Sequence, residues 1–222
     1  MNTLGIDTST AASAACVLRA GGEAFESEPR PAALAGPPGH ARELMPAVIA
    51  CLERSGLEPS QLDAVAIGVG PGTFTGLRIG VATARALAQA WELELRPVSS
   101  LHALACGSGE DGPVLALIDA RRGEVFAALV EDGQVSWPPF AAPPEDVAAR
   151  VARAGVDPLA VGDGSVRFRD VLQAVGVRVA PADSRVNVVR GLWVCRLASD
   201  VSPAAPAAVV PDYLRSPDAK PR

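Results

Sequence analysis

The stretch "LDAVAIGVGPGTFTGLRIGVATARALAQAW", Leu62 to Trp91, decides how the rest of the chain is read. Its first nine residues form an apolar, β-branched run expected to be a buried strand. A glycine-rich turn follows, and from about Gly76 to Trp91 the residues suit a helix. Strand-to-helix turns of this kind often hold phosphates, so the two standard spacings were compared with it. The phosphate loop needs G-x-x-x-x-G-K-[ST]. Here Pro71 stands five residues before Gly76, and Leu77 follows it. The dinucleotide fingerprint G-x-G-x-x-G fails as well, because Thr75 follows Gly70 and Gly72 where the third glycine belongs. Two readings remain open. One is a tight turn whose glycines serve the backbone; the other is an anion held at the helix N-terminus by free N–H groups.

The helix says more. Gly76, Gly80, Ala84 and Ala88 recur every four residues and make a flat face that another backbone can approach closely. Leu77, Ile79, Val81, Ala82, Ala86, Leu87 and Trp91 make the neighbouring faces apolar too. Such a helix is either buried against its own sheet or covered by a partner. Arg78 in the first turn opposes the helix dipole, which predicts an anionic group facing it. Upstream, "GHARELMPAVIACLERSG" places Leu44, Val48 and Leu52 on one helical face with Met45 and Ile49 beside them, and Pro46 starts or kinks the helix.

Composition bounds the function. Of 222 residues, 49% are hydrophobic and only 4% aromatic, so the core is built of Ala, Val and Leu, the material of an α/β chain. A net charge of −5 and a pI near 5.1, with arginines scattered singly or in pairs, argue against a free-standing nucleic-acid binder. Cys16, Cys51, Cys106 and Cys195 show no C-x-x-C pairing, and His40 and His102 are the only histidines. Reduced thiols and no metal site are expected. With neither a basic leader nor a membrane-length apolar run, a cytoplasmic protein is expected.

The chain also repeats itself. "LGIDTSTAASAACVLRAGG" at the start is matched by "LALIDARRGEVFAALVEDG", with Ile6-Asp7 against Ile118-Asp119 and Gly21 against Gly133, each 112 residues apart. An offset of half the chain predicts two units of similar topology. Between and after these hairpins, "LELRPVSS" suits a strand and "SLHALACG" a helix. Trp137 to Pro144 is expected to be a proline-rich loop, followed by a helix over Glu145 to Ala154 and a strand in "PLAVGDG". Helices over Phe168 to Val175 and near Val188 to Ala198 complete the second half. The tail "SPAAPAAVVPDYLRSPDAKPR" is expected to run extended over the surface.

"GPGTFTGLRIGVATARALA" closely resembles the signature of the TsaB family. "GIDTST", "HARELMPAVIACL", "PVSSLHALA", "IDARRGEVFAAL" and "PDYLR" support the match in the right order along the chain. The resemblance implies an α/β, two-lobed fold of the actin, sugar-kinase and heat-shock-ATPase type, a duplicated ribonuclease-H-like unit. Residues 1–107 would form the first lobe and 108–222 a smaller second lobe with an extended tail.

It also implies a non-catalytic partner subunit in tRNA N6-threonylcarbamoyladenosine modification. Such a subunit pairs with a TsaD-like transferase, works with a TsaE-like ATPase, forms a homodimer when alone, and meets tRNA only through the complex. The first-lobe helices then supply the interface: Leu44, Val48 and Leu52, with Gly76, Arg78, Gly80, Ala84 and Ala88. No catalytic residue, metal or cofactor is implied. TsaD-like relatives carry a metal-binding His-x-x-x-His pair; here Ser100 and Leu104 take those places. Asp7, Thr8 and Ser9 keep the small polar character of a phosphate-contacting hairpin, as a vestigial nucleotide site. Asp119-Ala120-Arg121-Arg122-Gly123 does not, and "GDG" at Gly162 to Gly164 is the nearest substitute for an adenosine clamp. The rival readings are an independent ATP-dependent small-molecule kinase or hydrolase of the same fold, using Asp7 or Asp119, and a metallopeptidase-like protein.

Overall fold

The structure is a computed structural model that describes residues 1–27 and 29–215. Two five-stranded sheets share one strand order. In the first, β1 (Thr3–Asp7), β2 (Ala14–Leu18), β3 (Ala24–Glu26), β4 (Ala64–Gly70) and β5 (Glu94–Ser99) lie in the order β3-β2-β1-β4-β5. In the second, β6 (Val114–Arg121), β7 (Glu124–Glu131), β8 (Gln134–Ala142), β9 (Leu159–Val161) and β10 (Arg178–Val179) lie in the order β10-β9-β6-β7-β8. Read from the meander side, both are an antiparallel trio followed by two parallel strands. The duplication expected from the 112-residue offset is therefore present as topology.

Seven α-helices are found among the described residues: α1 (His40–Ser55), α2 (Phe74–Ala90), α3 (Ser100–Cys106), α4 (Pro144–Ala154), α5 (Asp163–Arg167), α6 (Arg169–Gln173) and α7 (Gly191–Leu197). Strand alternation sorts them into layers. Leu4, Ile6, Val65 and Ile67 face α1 and α2 in one core. Leu115, Leu117, Val125 and Leu129 face α4 and α6 in another. The opposite faces, Ala66 from the first sheet and Ala116, Ile118 and Ala128 from the second, meet around Leu101 and Leu104 of α3 and Val194 of α7. The small strand residues on these inner faces admit the helices. A Cβ at Gly5 would lie 2.6 Å from the Cys195 Sγ and 2.7 Å from the Gly191 carbonyl oxygen, so β1 lets the start of α7 approach its backbone.

Several local expectations change. Trp137 to Pro144 is mostly not a loop: its residues through Ala142 belong to β8, an edge strand, and Pro138 and Pro139 fall where its register against β7 shifts between Ala127 and Leu129, so their missing N–H groups meet the ladder at an irregularity. The long helix begins at Phe74 rather than Gly76, and Pro46 sits inside α1. The helix expected over Phe168 to Val175 is the shorter α6, and an unexpected helix, α5, precedes it where "PLAVGDG" was expected to be strand: β9 stops at Val161 and Asp163 already begins α5. The described part of the tail returns to the first sheet: Ala204 donates to the Leu95 carbonyl, Val209 joins the first core, and the Asp212 N–H donates to the Val69 carbonyl at 2.8 Å. Residues 216–222 of the expected extended tail lie outside the described residues.

Candidate functional site

The question raised by Gly70 to Gly80 is answered by Thr8 and Ser9. A Cβ at Gly72 would lie 2.4 Å from the Ser9 carbonyl oxygen, at Gly76 2.1 Å from that of Thr8, and at Gly80 2.2 Å from the Thr8 Oγ1. The glycines thus admit the first hairpin beneath the start of α2. The contact is bonded as well as close: the Thr8 hydroxyl donates to the Gly76 carbonyl (2.7 Å), and the Thr73 N–H donates to Ser9 (2.7 Å).

That packing seals the candidate nucleotide residues. Asp7, Thr8, Ser9 and Thr10 are each at most 2% exposed. Asp7 Oδ1 accepts from the Ser9 N–H (2.8 Å) and hydroxyl (2.6 Å), and Oδ2 accepts from the Ser100 hydroxyl (2.6 Å). Ser100, standing where the metal-binding relatives have histidine, instead bridges Asp7 to the Gly70 N–H. Burial pushes the Asp7 carboxyl above its ordinary 3.8, while the hydrogen bonds from Ser100 and Ser9 oppose the shift. A raised native value means the folded chain holds this proton more tightly than the unfolded one. The resulting stability is intact below the ordinary value and is lost as pH rises through the native value. Asp7→Asn keeps the shape without the charge. Its unfolding free energy relative to the parent is therefore expected to increase from pH 4 upward, by about 1.4 kcal/mol for each pH unit between the two values, as read by urea titrations across that range.

The second hairpin is occupied differently. Asp119 Oδ2 accepts from Arg121 and Arg167, both at 3.1 Å, and Oδ1 accepts from the Arg121 N–H (2.9 Å). Arg121, Arg122 and Gly123 turn the hairpin with φ of +65°, +56° and +80°. Gly162 and Gly164 of the "GDG" segment serve packing, since a Cβ at Gly162 would lie 2.1 Å from the Leu117 carbonyl oxygen. Asp163 between them accepts from the Asp119 N–H at 3.0 Å, and burial pushes its carboxyl up. His40 is buried with its Nδ1 2.8 Å from the Ser13 Oγ, and His102 places its Nε2 2.8 Å from the Gly133 carbonyl. No three His, Cys, Asp or Glu side chains converge as metal ligands among the described residues.

Between the lobes lies a cleft of about 550 Å³, lined by the starts of α1 and α2, the β6–β7 hairpin and residues 212–215. None of Asp7, Thr8 and Ser9 lines it.

The residues expected to form an interface need correcting. Leu44, Val48, Gly76, Gly80, Ala84 and Ala88 are buried under α1 and α2, with Ala84 and Val48 at 0% exposure. The small-residue face meets the chain's own first sheet and hairpin, which is the shortest route to burial for a helix following a parallel strand. Leu52 is half-buried and Arg78 exposed. What faces Arg78 is aromatic rather than anionic: its guanidinium lies 3.7 Å from the Phe74 ring centre, and its Nε donates to the Tyr213 hydroxyl at 3.1 Å. The residues left outside are the apolar neighbours of the buried stripe, visible in the sequence but not expected at the interface. On α1 these include Met45 and Ile49, 39% and 49% exposed, and on α2 Ala82 and Ala86. An i, i+4 apolar pair flanking the buried stripe was the available signal.

Duplicated sheets, interleaved helices and a cleft between the halves define a two-lobed α/β protein built from two copies of one topology. Residues 37–164, more than half of the chain, match the family model described as TsaD, tRNA N6-adenosine threonylcarbamoyltransferase. The chain is similar to the tRNA threonylcarbamoyladenosine biosynthesis protein TsaB of Escherichia coli, with 30% identity over 97% of this chain and 95% of that one. It is 36% identical to an uncharacterized protein of Mycobacterium tuberculosis, over 82% of this chain and 78% of that one. YeaZ from Pseudomonas aeruginosa superimposes with a TM-score of 0.77 and 27% identity, over 96% of this chain and 99% of YeaZ. The chain belongs to the TsaB family.

Proposed function

We propose that this chain is the non-catalytic partner subunit of tRNA N6-threonylcarbamoyladenosine synthesis at adenosine 37. In this reading it pairs with a TsaD-like transferase and supports it, a TsaE-like ATPase joins the assembly, and the isolated chain forms a homodimer. It meets tRNA only through the complex, and it works in the cytoplasm; among the described residues no helix is long and apolar enough to cross a membrane. The lobes divide between residues 107 and 108, with the C-terminal segment laid back over the first.

One observation carries the non-catalytic part. Both hairpin aspartates that would serve phosphate chemistry are engaged internally, Asp7 by Ser9 and Ser100 and Asp119 by Arg121 and Arg167. A carboxylate with both oxygens so occupied has little left to offer a metal or a nucleophile. This disfavours the kinase or hydrolase reading, and the scattered histidines disfavour the metallopeptidase.

The interface is proposed on the outer face of α1 and α2, around Met45, Ile49, Leu52, Ala82 and Ala86 with Arg78 at its edge. Depletion of the protein in its own cell should abolish the adenosine 37 modification, and co-purification should recover the TsaD-like subunit. Unchanged tRNA in depleted cells would overturn the role. Phosphate release or micromolar ATP affinity in the purified chain would overturn its non-catalytic part.

A further inference from the structure

The segment "PDYLR", Pro211 to Arg215, is not used by the proposed docking role, yet it touches both lobes. On the first lobe, the Asp212 N–H donates to Val69 at the end of β4, and a Cβ at Gly70 would lie 3.2 Å from the Asp212 carbonyl oxygen. Tyr213 follows, its ring centre 5.0 Å from that of Phe74 and its hydroxyl accepting from Arg78. Leu214 packs against the core shared by the two sheets. Arg215 then crosses to the second lobe, where its Nη1 donates to the Ala120 carbonyl (3.1 Å) and to Glu124 (2.7 Å) on the β6–β7 hairpin. Residues 212–215 also line the cleft between the lobes. Four consecutive residues thus run from the first turn of α2, across the cleft, to the hairpin tip that faces it.

We infer that residues 212–215 form a latch holding the two lobes together across the cleft, released and re-formed as one unit. The anchors differ in kind, which suits release. Arg215 and Glu124 are partly exposed, 26% and 36%, so their ion pair competes with water and salt. Tyr213 is held by a stack and a single hydrogen bond at the surface of α2. Because only Leu214 separates them, neither end can leave its lobe without straining the other, and their occupancies are coupled. Opening of the 550 Å³ cleft then requires the latch to let go at one end.

Tyr213 is the only tyrosine of the chain, so uniform 3-fluorotyrosine labelling yields one 19F resonance that reports the latch. In the full-length protein this resonance should stand apart from that of the free amino acid, shifted by the Phe74 ring. Arg215→Ala should move it towards the free position although the substituted side chain lies on the other lobe. Conversely, Tyr213→Ala should speed amide exchange at residues 120–124 by about tenfold, while exchange in β1 and β4 stays unchanged. An unmoved resonance in Arg215→Ala, or unchanged hairpin exchange in Tyr213→Ala, would overturn the latch, since the two ends would then be independent contacts. Glu124→Gln, which weakens only the ion pair, supplies the same readout should Arg215→Ala fail to fold. High salt should move the parent resonance in the same direction as these variants.

Discussion

Ala84→Arg is expected to leave no cooperatively folded protein. Ala84 is fully buried, on the same face of α2 as Gly76, Gly80 and Ala88, against the first sheet. The face is flat because its neighbours have closed onto it: Gly80 leaves no room for a Cβ beside Thr8 and Ile67. A guanidinium placed there has no water and no anion within the first core, whose members are apolar. Overpacking alone costs about 1–3 kcal/mol, and an unpaired buried charge adds several more. The sum is comparable with the whole stability of an ordinary domain, about 5–15 kcal/mol. The measurement is thermal unfolding by circular dichroism, with soluble yield beside it. A variant that melts normally but no longer pairs with the TsaD-like subunit would show that the face is turned outward after all.

Met45→Glu combined with Ile49→Arg should do the opposite, preserving the fold and removing the partner. Both side chains stand on the exposed side of α1, one turn apart. Substitutions at such positions usually change stability by no more than about 0.5 kcal/mol, and Glu followed four residues later by Arg is a favourable helical pair. Within a protein interface the same charges replace apolar contact with desolvated ions. Loss of central contacts of this kind costs about 2 kcal/mol or more, a weakening of roughly thirtyfold or greater. Titration of the variant against the TsaD-like subunit, with the melting temperature as control, checks both halves. Undiminished pairing would move the proposed interface off this face. Together the two variants separate the buried side of the α1–α2 layer from its outer side.

Much of this architecture was legible beforehand, for reasons that can be located. The apolar runs in "LALIDA" and "LDAVAIGVG" specify strands buried on both faces, because side chains point alternately to the two sides of a sheet whatever surrounds them. The 112-residue offset announced the duplication because two copies of one topology place their hairpin aspartates and turn glycines at matching positions. The β8 strand was missed because prolines normally interrupt a ladder. Its place at the sheet edge, which excuses them, is a property of strand order and not of local sequence. Helix α5 was missed for a related reason: "PLAVGDG" reads locally as strand through Gly164, whereas β9 ends at Val161 and Gly162 and Gly164 turn the chain against Leu117.

The glycine stretch divides the two kinds of information. Sequence by itself determined that Gly70 to Gly80 matches neither standard phosphate pattern and that the helix after it carries a face of small residues. Spacing is a property of the chain, so it can be read without coordinates. Which surface fills that face is not, because a flat stripe of glycine and alanine suits a partner's helix and the chain's own hairpin equally well. Tertiary structure decided it by bringing Thr8 and Ser9, more than sixty residues away in sequence, to within bonding distance of Gly76 and Thr73. The same closure buried Asp7 and turned a residue set suited to phosphate into part of the core. It also left Met45 and Ile49 as the apolar groups of α1 still facing outward.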